Sequence, residues 1–258
     1  MKEPAQSHPK YPWWDLDGCE LAGVLYGILM PFQLSDHTYH DWADFVRKDS
    51  DFAYAWSVSS RLNVLEEAII ALRPIVQMLG VTEFPIPSHV RAIDRYVWLS
   101  ATVDLALFRV SAIRDCCYVL VSEVFELGIN PRDLSLRRLK QEESLKETPV
   151  LEALLTIGSI GKDLRAERNK RAHEGIQRPF GGDPHDTFMF KIAAMYEGKS
   201  SGIVQDFDLE QEYATQVSLL YDAYVKDAEA LREAVLQLQE LLVDTFWARF
   251  EEKKPEKA

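Results

Sequence analysis

With 258 residues, 47% of them apolar and 11% aromatic, the chain can build a substantial core, and bulk disorder is excluded. A formal net charge of -12 excludes broad, sequence-independent coating of nucleic acid or of an anionic membrane, because both need a basic surface. A small basic pocket inside an acidic protein is compatible with that balance.

Three cysteines, Cys19 and the vicinal pair Cys116-Cys117, form neither a disulfide framework nor a CxxC zinc spacing, and they fit a reducing, cytoplasmic compartment. The opening MKEPAQSHPKYPWWD lacks the layout of a signal peptide. The early apolar stretch from Leu21 to Phe32 is too short to span a bilayer and reads as a buried helix, so no membrane partner is expected.

In chain order, residues 1–13, with three prolines, read as an extended arm that Trp13-Trp14 would anchor on the bundle. A helix is predicted from about Leu16 to Met30, stopping at Pro31. A short amphipathic helix follows over 36–47, with Ser35 or Asp36 as N-cap. One helix over 51–79 then places Val58, Leu62, Leu65, Ala68, Ile69 and Leu72 on one face, and Gly80 ends it. Pro85 and Pro87 mark the expected boundary between an accessory helical region (1–86) and a core bundle (87–252).

The bundle opens with a long helix over 88–127, closed by Gly128 and Pro131. On it Asp104, Ser111, Asp115 and Ser122 share one stripe, either a solvated face or a polar wall of a site. Residues 131–147 form a charged connector or short surface helix. Thr148-Pro149 reads as N-cap and first position of a helix running unbroken to His173, with Gly175 as its stop. A Gly/Pro loop over 176–186 and a short apolar segment, FMFKIAAMY, lead to a last helix over 209–250. Its Val217, Tyr221, Tyr224, Ala228, Leu231, Val235, Leu238 and Leu242 repeat by fours and threes, a coiled-coil type of seam. The tail 253–258 is expected to be disordered. The fold class is therefore all-α, a bundle of long antiparallel helices.

The chemistry gathers in Arg165-Ala-Glu-Arg168-Asn169-Lys170-Arg171-Ala172-His173. On an unbroken helix Leu154, Ile157, Ile160, Leu164 and Arg168 fall in one line, so a guanidinium ends an apolar stripe where leucine would be routine. Asn169 and His173, four apart, are neighbours, and the negative end of the helix dipole favours an imidazolium at His173. Such a trio suits phosphodiester chemistry. Arginine clamps phosphate and stabilises developing charge, histidine transfers a proton near neutral pH, and asparagine orients either partner. Lys162, Arg165, Lys170, Arg171 and Arg178 make the neighbourhood locally basic, suited to holding a polyanion. Basic residues near a helix C-terminus are also expected on dipole grounds alone.

The pattern Arg168-Asn169-x3-His173 at the end of a bundle helix resembles the signature of the HEPN superfamily, whose members are all-α bundles. The resemblance covers about residues 88–252, and its specific part is these six positions. It implies a metal-independent endoribonuclease without cofactor, of the kind found in toxin–antitoxin and phage-defence systems. Arg168 would contact the phosphate, Asn169 would be its polar companion and His173 the acid or base. It further implies RNA as substrate, a homodimer with two motifs facing across a cleft, and an antitoxin or other regulatory protein as partner. The alternative is a non-catalytic helical protein of the same architecture that binds a nucleotide, or that holds a partner by its C-terminal seam.

Elsewhere the bland readings are preferred. His37-x2-His40-Asp41 lacks a third strong metal ligand, His185-Asp186 belongs to a loop turn, and Cys116-Cys117 is core filler.

Overall fold

The computed structural model describes residues 19–35, 38–81, 91–174 and 209–254, and among these every regular element is a helix. They are α1 (Glu20–Gln33), α2 (Trp42–Lys48), α3 (Ser50–Ile70), α4 (Leu72–Leu79), α5 (Arg91–Val124), α6 (Leu136–Leu139), α7 (Pro149–Ser159), α8 (Lys162–Glu174) and α9 (Leu209–Glu252). The all-α expectation holds, and no helix among the described residues is long and apolar enough to cross a membrane. The N-terminal arm with Trp13-Trp14, the Pro85/Pro87 segment, the Gly/Pro loop and the FMFKIAAMY segment lie outside the described residues.

Helix α9 is the axis of the bundle. Its 44 residues extend about 66 Å at 1.5 Å per residue, and it packs against α1, α3, α4, α5 and α7. The predicted seam is the buried face: Leu231, Val235, Leu238 and Leu242 are all but inaccessible, and Phe246 and Phe250 prolong it. Each such side chain contributes roughly 1.5–3 kcal/mol on burial. The seam is therefore used within the chain itself. Buried residues of α1, α3 and α4 join those of α5, α7 and α9 in one contiguous core, so the helices before and after the Pro85/Pro87 segment share it.

Several boundaries differ from expectation, each for a local reason. Helix α1 does not stop at Pro31 but continues one turn to Gln33. That extension places Phe32 on Phe52 at 4.1 Å between ring centroids, with Phe45 at 5.7 Å, so aromatic packing outweighs the hydrogen bond that proline cannot make. The expected helix over 51–79 is instead two, α3 and α4, interrupted at Ala71. Pro74 cannot donate to the carbonyl of residue 70, which accounts for a break one turn before it. Helix α5 ends not at Gly128 but in a motif with Glu126 in the left-handed region (φ 53°). There the Leu127 N–H donates to Ser122 O (3.0 Å) and the Glu126 N–H to Glu123 O (3.1 Å), a Schellman closure. Glu126 is held in place by Lys253 Nζ at 2.7 Å. The same lysine's carbonyl accepts the Ser50 hydroxyl (2.8 Å), so Lys253 is tied down rather than part of a disordered tail.

The N-cap of α2 is neither Ser35 nor Asp36 but Asp41, whose Oδ1 accepts the Asp44 N–H at 2.8 Å. Asp44 itself accepts from Lys48 Nζ (2.8 Å), the His40 N–H (3.2 Å) and Arg47 Nη2 (2.5 Å). The Lys48 bond first, then the His40 amide, holds its carboxyl well below the usual aspartate range. Because the folded value lies below the unfolded one, this stabilisation is complete above about pH 4 and is lost as pH falls. The Asp44→Asn variant should therefore be less stable than wild type near neutrality, and the gap should narrow on acidification. Denaturant melts at a series of pH values check this, and a gap that does not vary with pH would contradict it.

Candidate functional site

Helix α7 begins as expected: Thr148 Oγ1 accepts the Leu151 N–H at 3.3 Å, and Pro149 occupies the first turn. It does not run on to His173. Ile160 is extended (ψ 135°), Gly161 adopts φ +63°, and α8 restarts at Lys162. The line from Leu154 to Arg168 is therefore broken, and α8 is re-aimed across α5, against which Leu164 is buried.

Gly161 is the hinge of this arrangement. A Cβ there would lie 3.0 Å from Val110 Cγ1 on α5 and 3.8 Å from Asp227 Oδ2 on α9. The left-handed conformation adds a cost for any L side chain. Gly161→Ala should destabilise the protein by about 1–3 kcal/mol. A thermal melt checks this, and an unchanged Tm would contradict it.

Arg165, expected among the substrate-contacting cations, donates from Nη2 to the Gly158 carbonyl and so covers the end of α7. Burial, with the neighbouring Arg114 cation adding to it, lowers its pKa from the usual arginine value.

Arg168 is half-buried and donates from both Nε (3.2 Å) and Nη2 (2.8 Å) to Asn169 Oδ1. The adjacent asparagine thus fixes the direction of the guanidinium plane. His173 lies in the last turn of α8, but its side chain, with those of Lys170 and Arg171, is outside the described residues, as is Arg178 entirely. Helix α8 carries five Lys or Arg against three acidic residues, in contrast to the acidic chain as a whole.

Arg168 borders a hollow of about 370 Å3 whose other walls are Arg61 and Val64 of α3 and Phe108, Ser111, Ala112, Asp115, Cys116 and Val119 of α5. The α5 residues recur by threes and fours, so one face of that helix forms the floor. Two members of the predicted polar stripe, Ser111 and Asp115, belong to this wall. Ser122 lines an adjoining hollow of about 470 Å3 that shares Arg61 and Val119, and Asp104 lines neither. Three of the four stripe residues therefore line one of these two hollows, with Asp115 also largely exposed to solvent.

Within the wall the hydrogen bonding is specific. Ser111 is buried and its hydroxyl donates to Leu107 O (3.1 Å). Asp115 accepts both Arg114 Nε (3.0 Å) and Arg114 Nη2 (2.7 Å) on the same oxygen, Oδ1. Arg61 reaches across to Glu123 at 3.4 Å, tying α3 to α5 beside the opening. Burial, with Asp115 adding to it, pushes the Cys116 thiol up, so it lines the hollow as a neutral group. Cys117 is wholly buried in the core. Of the remaining motif residues, Asp41 caps α2 and the His40 amide supports Asp44, while His37 and His185-Asp186 lie outside the described residues. Among the described residues no three His, Cys, Asp or Glu side chains gather as metal ligands would.

Arg61, Val64 and Phe108 were not legible as site residues in the sequence. Phe108 is 58% exposed and Val64 51% exposed, and each is one of several exposed apolar residues on its helix, so nothing in the one-dimensional pattern singles it out. Only the docking of α8 gives them a shared hollow with Arg168.

A scan against protein-family models gives no match, and searches of curated proteins and of solved structures likewise return none.

Proposed function

We propose that this chain is a metal-independent endoribonuclease of HEPN type that acts as a homodimer, in a toxin or phage-defence setting under control of an antitoxin-like or other regulatory protein. The observation that carries this reading is the Arg168 guanidinium, hydrogen-bonded to Asn169 and carried by a locally cationic helix to the border of a hollow with apolar and polar walls. With its Nε–Nη2 edge on Asn169, the guanidinium has its Nη1–Nη2 end to offer two phosphate oxygens, and it stabilises charge that builds on them during reaction.

In the chemistry that follows, the ribose 2′-OH attacks its own phosphodiester. Its proton passes to one imidazole of His173, while an imidazolium, from the second protomer, gives a proton to the departing 5′-oxygen. The P–O5′ bond breaks, leaving a 2′,3′-cyclic phosphate on one fragment and a 5′-hydroxyl on the other. Arg168 stabilises the pentacoordinate phosphorane between them. Arg168 and His173 lie about 140° apart around α8 at 100° per residue, so one copy cannot easily surround a phosphate. Two copies related by a twofold axis can. The test is end-group analysis of cleaved RNA. Fragments ending in 2′,3′-cyclic phosphate are expected, and 3′-hydroxyl ends would rule the mechanism out.

A second reading, a non-catalytic protein that binds a nucleotide or a partner, is favoured by the net charge of -12 and by a larger groove of about 710 Å3 between α1 and α3. Leu25, Tyr26, Leu29 and Ile70 line that groove, which shares no residue with the hollow beside Arg168. The C-terminal seam, buried in its own bundle, is not the surface such a partner would use.

A further inference from the structure

We propose that the hollow beside Arg168 is a base-binding subsite that takes a nucleobase bearing an exocyclic amine, namely adenine, cytosine or guanine, in preference to uracil. The proposal rests on the reading of Arg168 as a phosphate contact and adds what the neighbouring base must be.

Three features support it. The first is the apolar wall. Phe108 and Val64, both more than half exposed, stand on α5 and α3 around an opening of about 370 Å3, within the size range of small-ligand sites. An exposed aromatic ring beside a phosphate-binding arginine is the arrangement on which an unstacked base of single-stranded RNA is held, since every base has a π-face. The second is the position of the charges. Arg61 and Arg168 line the hollow from α3 and α8, so a backbone phosphate can be held at its edge while the base enters.

The third feature sets the selectivity. Ser111, nearly buried in the lining, spends its only proton on the Leu107 carbonyl and is therefore left with acceptor capacity alone. Asp115 carries Arg114 on Oδ1, which leaves Oδ2 without a hydrogen bond among the described residues. Both polar groups on the α5 wall are thus acceptors. An exocyclic amine, the N6 of adenine, N4 of cytosine or N2 of guanine, supplies donors to such a wall. Uracil offers a single N3–H flanked by two carbonyl oxygens, and on the α5 wall those oxygens face acceptors, while Arg61 and Arg168 are engaged with the phosphate at the edge.

The experiment is fluorescence anisotropy with labelled pentadeoxynucleotides of adenine, cytosine or uracil, which lack the 2′-hydroxyl and are not consumed by the proposed reaction. Wild type should bind the adenine and cytosine probes several-fold more tightly than the uracil probe. Phe108→Leu should weaken the adenine probe roughly tenfold or more. Asp115→Asn, which introduces a donor, should erase the preference against uracil. Both residues are well exposed, so both variants should melt like wild type. Equal affinity for all three probes, an unaffected Phe108→Leu, or no binding at all would overturn the subsite. RNA cleavage that needs Arg168, found together with one of those results, would leave the nuclease reading standing without the subsite. Base-selective binding without cleavage of any RNA would keep the subsite and remove the nuclease.

Discussion

Phe246→Ala is expected to lower stability by about 3–5 kcal/mol, the cost of truncating a fully buried aromatic ring. Phe246 is inaccessible to solvent and stacks on Tyr54 of α3, with ring centroids 5.4 Å apart and planes inclined by 14°. It also meets Phe250 at 5.8 Å and Trp247 at 6.0 Å. Tyr54 in turn donates its hydroxyl to Val124 O (2.8 Å) at the end of α5. The ring therefore sits where α9, α3 and the α5 terminus meet, and a cavity there loosens three elements together. Urea unfolding followed by circular dichroism should show the midpoint falling with the m-value unchanged. A loss below about 1.5 kcal/mol would mean that the site collapses around the missing ring or that the packing differs from that described.

Arg168→Ala should reduce kcat for RNA cleavage by about 10²- to 10³-fold, the usual effect of removing one donor to transition-state charge. Arg168→Lys should recover little of it. An ammonium is a point charge, whereas the site orients a fork through two bonds to Asn169 Oδ1. Stability should change by no more than about 1 kcal/mol in either variant, because the side chain is only partly buried and its described hydrogen bonds go only to the adjacent exposed asparagine. A large fall in rate with an unmoved melting curve assigns Arg168 to function. A parallel fall in both assigns it to packing.

The bundle was legible because its signals are strong and redundant. The 3-4 repeat of α9 names its buried face directly, and Thr148-Pro149 marks the start of α7 by a cap that depends on two adjacent residues. What was not legible lies at the joints, where tertiary packing overrides local preference. Pro31 ought to end α1, but the aromatic cluster around Phe32 holds the extra turn. Ile160-Gly161 carries helix-compatible neighbours on both sides, and the break there goes with a left-handed glycine packed close to Val110 and Asp227. For the site, the motif and its local charge could be found in one dimension. Phe108, Val64 and Arg61 could not, because they belong to other helices and meet Arg168 only after α8 has turned at Gly161.

The most direct test incubates a panel of labelled RNAs with the purified protein in EDTA, beside Arg168→Ala and His173→Ala variants whose melts match wild type. Cleavage by wild type that is lost in both variants is the predicted result. A folded, dimeric wild-type protein that cuts no RNA, or that cuts RNA as well without His173, would contradict the account.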